Sequence, residues 1–153
     1  MAGSRVSIEV HGSGVDVSRL RTTVRRVLRE ERAEPAALTV RLTNDEELRR
    51  LNREYRGLDE PTDVLSFALG EGDPFPAEVG AVEELGDIAV SLDSAARQAR
   101  DHGWTLEDEV AHLVVHALLH LCGHDHESGA GALRAMQARE EHYLGPLGNV
   151  HEI

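Results

Sequence analysis

The stretch over residues 116–126, His116-Ala-Leu-Leu-His120-Leu-Cys-Gly123-His-Asp-His126, most narrows what this chain can become. Two histidines stand four apart in a run of helical spacing, and residues four apart stack on one helix face. Both imidazoles can then address one atom. Gly123 meets no Cβ clash at positive φ, so the chain can leave the helix there and turn back. That turn would bring His126 to the same point. Three neutral nitrogens with no fourth protein ligand describe an open zinc site, the kind that keeps a position for water or substrate. The same helix is apolar over much of its circumference through Leu106, Val110, Leu113, Val114, Ala117 and Leu121, so it should lie at the centre of the fold.

The chain holds nine histidines, so each needs its own reading. His112 extends the stripe, but it lies about 12 Å along the axis from His120, too far to share one ion. A packing or supporting role suits it better. His124 would point away if His126 points in, and His11, His102, His142 and His151 are scattered. Cys122 is the only cysteine, which excludes an internal disulfide framework and suits a reducing compartment. It reads as a small buried apolar residue rather than a rival soft ligand.

A chain of 153 residues should make one domain, 1–153, with a proper core. Residues 5–10 alternate with period two and read as a strand, with no signal-peptide core before them. Asp16 or Ser18 can cap a helix running to about Arg32, with Val17, Leu20, Val24 and Leu28 on one face. A second strand covers 37–42. Thr43 or Asn44 caps the next helix, whose apolar stripe is Leu48, Leu51 and Tyr55 and whose end is Gly57. Residues 63–67 and 87–91 read as short strands, and 70–84 as a mobile acidic loop rich in Gly, Pro and Glu. Ser91 or Asp93 starts a helix to about His102, closed by Gly103. Thr105, with Asp108 as a weak capping box, starts the histidine helix. A last helix runs from Ser128 to about Tyr143. The order β-α-β-α-β-β-α-α-α predicts an α+β fold: a single mixed sheet of about four strands packed with helices, the metal-binding helix central and its site geometry zincin-like.

The formal net charge of −12 argues against non-specific coating of nucleic acid. Its distribution is uneven: residues 1–56 hold 12 arginines and 9 acids, residues 57–153 hold 4 arginines and 19 acids. There is no lysine, and no apolar run is long enough to span a membrane.

Three neutral imidazoles leave a divalent ion its full charge, so it can activate water and polarise a phosphoryl or carbonyl oxygen. A peptidase of the His-Glu-x-x-His type carries its base directly after the first histidine, where this chain has Ala117. Asp125 is the nearest carboxylate in sequence, and capping the turn or holding a ligand imidazole is at least as good a role for it.

The stretch from His116 to His126 resembles the metal motif of the YbeY family, bacterial rRNA-maturation endoribonucleases. Two further stretches resemble it in order and spacing: Leu51-Asn-Arg-Glu-Tyr-Arg56-Gly-Leu-Asp-Glu-Pro-Thr-Asp-Val-Leu-Ser-Phe67 and Leu85-Gly-Asp-Ile-Ala-Val90. The likeness covers most of 37–126. The histidine motif alone would not decide, since metzincin peptidases space their histidines and glycine the same way. Ala117, Cys122 and His124 depart from the family's common residues without touching the ligands.

The resemblance implies a mixed α/β fold, a cytoplasmic location, and a role in maturing the 3′ end of 16S ribosomal RNA and in ribosome quality control. It implies His116, His120 and His126 as ligands of one Zn2+, or another divalent metal, and Arg56 as the functional arginine. Arginine can grip a phosphate bidentately, which suits that role. Asn52 and Asp87 are candidates for support, though turn chemistry explains them as well. Arg49 and Arg53 could extend a track for the RNA backbone, though a solvated helix face explains them better. The expected partners are ribosomal RNA, the ribosome or its small subunit, and ribosome-associated proteins, with no membrane. The competing functions are a metallopeptidase-like hydrolase and a non-catalytic zinc-containing ribosome-assembly factor.

Overall fold

Alternation in β2 (Ala37–Thr43) sets the two faces of the sheet: Leu38, Val40 and Leu42 are buried while Ala37, Thr39 and Arg41 are half-buried. The computed structural model describes residues 4–12, 15–68, 84–123 and 130–145. β1 (Arg5–Val10) pairs with β2 in parallel after the crossover helix α1 (Ser18–Glu30). On its other side β2 pairs in parallel with β4 (Glu84–Ser91), and β4 pairs antiparallel with β3 (Val64–Ala68). The order β1-β2-β4-β3 makes a mixed four-stranded sheet with β3 at one edge. α2 (Asp45–Arg56), α3 (Leu92–His102), α4 (Leu106–Leu121) and α5 (Ala130–Leu144) complete the nine elements in the order read from the sequence.

The two faces are covered unequally. On one, Val6, Leu38, Val40, Leu42, Ile88 and Val90 meet α1, α4 and α5 in the main core. On the other, Leu48 and Leu51 of α2 meet Phe67 and Ala89, with Leu65 beside them. Leu48 and Leu51 are each at most 1% exposed, worth about 1.5–3 kcal/mol for a side chain of this size. α4 is central, as its apolar circumference requires: Val110, Val114, Val115, Leu118 and Leu119 are all buried.

Local signals start and stop most helices. Asn44 accepts a hydrogen bond from the Glu47 amide at 2.9 Å, and Gly57 ends α2 in the left-handed region at φ 73. Ser91 caps α3 by accepting from the Ser94 amide at 3.1 Å, and Gly103 closes it. Thr105 accepts from the Asp108 amide at 3.1 Å, but the Asp108 carboxylate pairs with Arg19 instead of completing a box.

The structure corrects four local expectations. α1 begins at Ser18 with Val17 at the cap position, because Asp16 uses its carboxylate on the Ser18 amide (3.0 Å) and hydroxyl (2.7 Å). It ends at Glu30, and Arg32 takes a positive φ of 58. Tyr55 is 39% exposed although its ring meets Phe67 edge-on at 5.7 Å, and Asn52, only 4% exposed, joins the inner face of α2 unexpectedly. β4 begins at Glu84, and residues 70–83 of the expected acidic loop lie outside the described residues.

α5 is held by α1. Met136, Glu140 and Tyr143 are its buried stripe, at i, i+4 and i+7. The Tyr143 hydroxyl donates to Glu31 at 2.6 Å, Arg139 Nε donates to the same carboxylate at 3.0 Å, and His142 Nε2 lies 2.6 Å from Glu30. Among the described residues no helix is long and apolar enough to cross a membrane.

Candidate functional site

One face of α4 carries Glu109, His112, His116 and His120, at i, i+3, i+7 and i+11. The His116 and His120 rings are nearly parallel, 19° apart with centroids 6.5 Å from each other. His116 is half-buried and His120 exposed, so the pair faces outward at the end of a buried helix. Gly123 then takes a φ of 104, so the chain does leave the helix where the sequence allows it. His126 and Asp125 lie outside the described residues, as does His124. No group of three or more His, Cys, Asp or Glu side chains among the described residues is arranged to hold an ion.

Behind His116 stands a residue the sequence reading missed. Glu140 on α5, 7% exposed, bonds His116 Nδ1 through Oε2. A carboxylate can only accept there, so Nδ1 carries a proton and Nε2 is the nitrogen that would meet a ligand. A metal-bound imidazole characteristically has its second nitrogen held in this way. His116 and His120 therefore suit a divalent ion by donor type, by shared face and by the tautomer Glu140 imposes. The signal for Glu140 was present as a carboxylate inside the buried stripe of the last helix.

Beside His116 opens a cleft of about 320 Å³, lined by Asp63, Val64, Gln98, His102, His112 and His116 among others. His102, read from sequence as scattered, belongs here. Its Nδ1 lies 2.8 Å from Oε1 of Glu109, which is 1% exposed. Trp104 bridges two of the rings, 5.0 Å from His102 and 5.6 Å from His112 between centroids. Burial holds His112 below the ordinary histidine pKa, against the pull of Glu140 and Glu109. His112 thus packs beside the site, the role expected for it. Cys122 is half-buried against the core, and burial pushes its thiol up to about 11, so it is a poor thiolate donor.

Arg56 reaches the edge strand. Its Nη2 donates to the Ser66 carbonyl, and its guanidinium carbon lies 5.1 Å from the Phe67 ring centroid. Phe67 belongs to the cluster under α2, whereas Val64 packs against the core under α4. β3 therefore stands between Arg56 and the histidines. Asp87 is half-buried and pairs with Phe67 in register across β3 and β4. Asn52 donates to the Glu60 carbonyl at 3.0 Å, and its own carbonyl accepts from Leu58 at 3.2 Å. That is turn chemistry shaping the loop before β3. Arg49 binds Asp59 at 2.9 Å, and Arg53 lies 3.8 Å from the same carboxylate. Both line a larger groove, about 620 Å³, along the outer side of α2, with Glu46 and Glu47 among its walls.

Comparison with known proteins decides the family. The model of the family described as Endoribonuclease YbeY matches residues 6–148. The chain belongs to the YbeY family. The YbeY endoribonuclease of Roseiflexus castenholzii is 44% identical over 135 residues, 88% of this chain and 85% of that protein. The one from Myxococcus xanthus is 45% identical over 149 residues, and there the match spans 96% of this chain but 49% of the relative. Among solved structures, the solution structure of TM1509 from Thermotoga maritima superposes with a TM-score of 0.62 at 28% identity, covering 93% of this chain and 88% of that one. The matched span includes β3, α4 and Glu140 on α5 as well as the histidine stretch.

Proposed function

We propose that this protein is a metal-dependent endoribonuclease that cuts single-stranded RNA at the histidine face of α4. The observation that carries the reading is the His116–His120 pair with Glu140 behind His116, in a chain of the YbeY family. His116 and His120 hold the ion, joined by His126 on the family resemblance. Zinc or another divalent ion bound there supplies charge to a phosphoryl oxygen and lowers the pKa of bound water towards ~7. Glu140 accepts from His116 Nδ1–H, which fixes the ring's orientation and leaves Nε2 as the nitrogen that would meet the ion.

Arg56 is exposed at the end of α2, within reach of the open edge of β3. The RNA backbone would cross that edge, with one phosphate at the histidines and another drawn to the guanidinium. Arginine's planar fork suits a phosphate better than lysine's point charge does. Arg49 and Arg53 would join such a path only by leaving Asp59. The family resemblance further directs the activity to the 3′ end of 16S ribosomal RNA, in the cytoplasm, with the ribosome or its small subunit and associated proteins as partners.

A peptidase lacks its base here, since position 117 is an alanine, 4% exposed. A closed structural site would need a further protein ligand, and the raised Cys122 thiol is a poor one. The test is cleavage of ribosomal RNA by pure metal-loaded protein with and without chelator. Cutting that stops on chelation and returns with added zinc supports the reading. Pure protein that carries metal and never cuts ribosomal RNA refutes it.

A further inference from the structure

We propose that the cleft beside His116 is a receptor for one unpaired nucleobase next to the scissile phosphate, selecting bases with an exocyclic amino group over uracil. This rests on the endoribonuclease reading above and adds a specificity site to it. Position comes first: His112 and His116 lie one helical turn apart on the same face of α4, and both line the cleft. Whatever fills it is therefore attached close to the phosphate being cut.

Charge decides which part of a nucleotide enters. Asp63 and Glu109 are carboxylates of the wall, and no arginine lines it among the described residues. A phosphate is repelled, and the uncharged base is left. The wall has ring surfaces to receive it in His102 and His112, and Trp104 packs against both of these rings with centroids 5.0 and 5.6 Å away. Single-stranded RNA is generally read by stacking unpaired bases on such rings and bonding their edges. The chain's aromatics are few (two Phe, two Tyr, one Trp), but its one tryptophan backs the two histidines of the wall.

Hydrogen bonding then discriminates. Gln98 Nε2 donates to Asp63 Oδ2 at 2.9 Å. That bond fixes the amide, turns its oxygen away from Asp63, and uses one of the two carboxylate oxygens. The rim therefore offers acceptors. The exocyclic amino group of cytosine, adenine or guanine brings two N–H donors to these acceptors, whereas uracil brings a single N3–H flanked by two carbonyl oxygens that meet them unfavourably. Selection against uracil by roughly 10-fold follows from a single good base contact.

Trp104 gives a direct readout, being the sole tryptophan. Metal-loaded wild type would be titrated with uncleavable 2′-O-methyl RNA tetramers that carry cytosine, uracil or an abasic residue at the varied position. The expected result is quenching of Trp104 emission by the cytosine tetramer at roughly 10-fold lower concentration than by the uracil one, and least by the abasic one. Asp63→Asn, which replaces an acceptor oxygen by a donor, and Gln98→Ala should each erase the cytosine preference while uracil binding stays. Equal quenching by cytosine, uracil and abasic tetramers overturns the proposal. So does a preference that survives both substitutions. Because binding is read without cleavage, failure here is separate from failure of the nuclease reading, which is judged on ribosomal RNA.

Discussion

Glu140→Ala should weaken metal binding without unfolding the protein. Glu140 lies 24 residues from His116 in sequence and is fixed by the clasp of α5 on Glu30 and Glu31 of α1. Without the carboxylate, the bond that holds the His116 proton on Nδ1 is lost. The ring can then turn, or take the other tautomer, and the ligand nitrogen is no longer presented. Loss of a partner behind a metal-bound histidine costs about 10–100-fold in affinity, which is about 1.4–2.7 kcal/mol. The assay is competition with a coloured chelator for zinc, on protein first stripped of metal. Glu140→Ala should raise the zinc Kd by that factor while the circular dichroism of the stripped protein stays at the wild-type level. Glu140→Gln should lose less, since its amide oxygen still accepts from Nδ1–H. Wild-type zinc affinity in a folded Glu140→Ala protein would refute the reasoning.

Arg56→Lys should slow RNA cleavage about tenfold, roughly 1.4 kcal/mol in the barrier, with zinc content unchanged. Single-turnover rates on a short RNA, beside metal analysis, check it. Asn44→Ala removes the acceptor for the Glu47 amide and should cost about 1 kcal/mol; urea unfolding reads this directly. Alkali should destabilise the fold. Burial raises the Cys122 thiol from 9.0 to about 11 and the Tyr143 phenol from 10.0 to about 12. The unfolded chain loses these protons first, so above pH 9 the folded state binds more protons and stability falls as pH rises towards 12. Stability that is flat over pH 9–12, measured by denaturant titration, would contradict this.

Periodicity carried the fold a long way. The order of nine elements follows from apolar spacing and from caps at Asn44, Ser91 and Thr105, because those signals are local. The histidine helix was legible for the same reason: i, i+4 spacing fixes a shared face whatever surrounds it. What was not legible depends on contacts between distant segments. Glu140 and Glu109 look like ordinary helix carboxylates until α5 and α3 bring His116 and His102 against them. Asn52 is buried on the inner face of α2 because its amide has a turn carbonyl to bind at Glu60. Arg49 and Arg53 read as a basic stripe, and only the folded loop shows Asp59 between them. Arg56 was singled out by family resemblance, and its place on the far side of β3 from the histidines could not have been read from spacing.

The central claim is that the histidine face of α4 cuts RNA. Its most direct test is mapping the ends produced from ribosomal RNA by metal-loaded wild type and by His116→Ala, with zinc content measured on both. The account predicts discrete new ends with the wild type, and loss of both bound zinc and those ends in the variant. The same ends, made at the same rate by a metal-free His116→Ala protein, would contradict it.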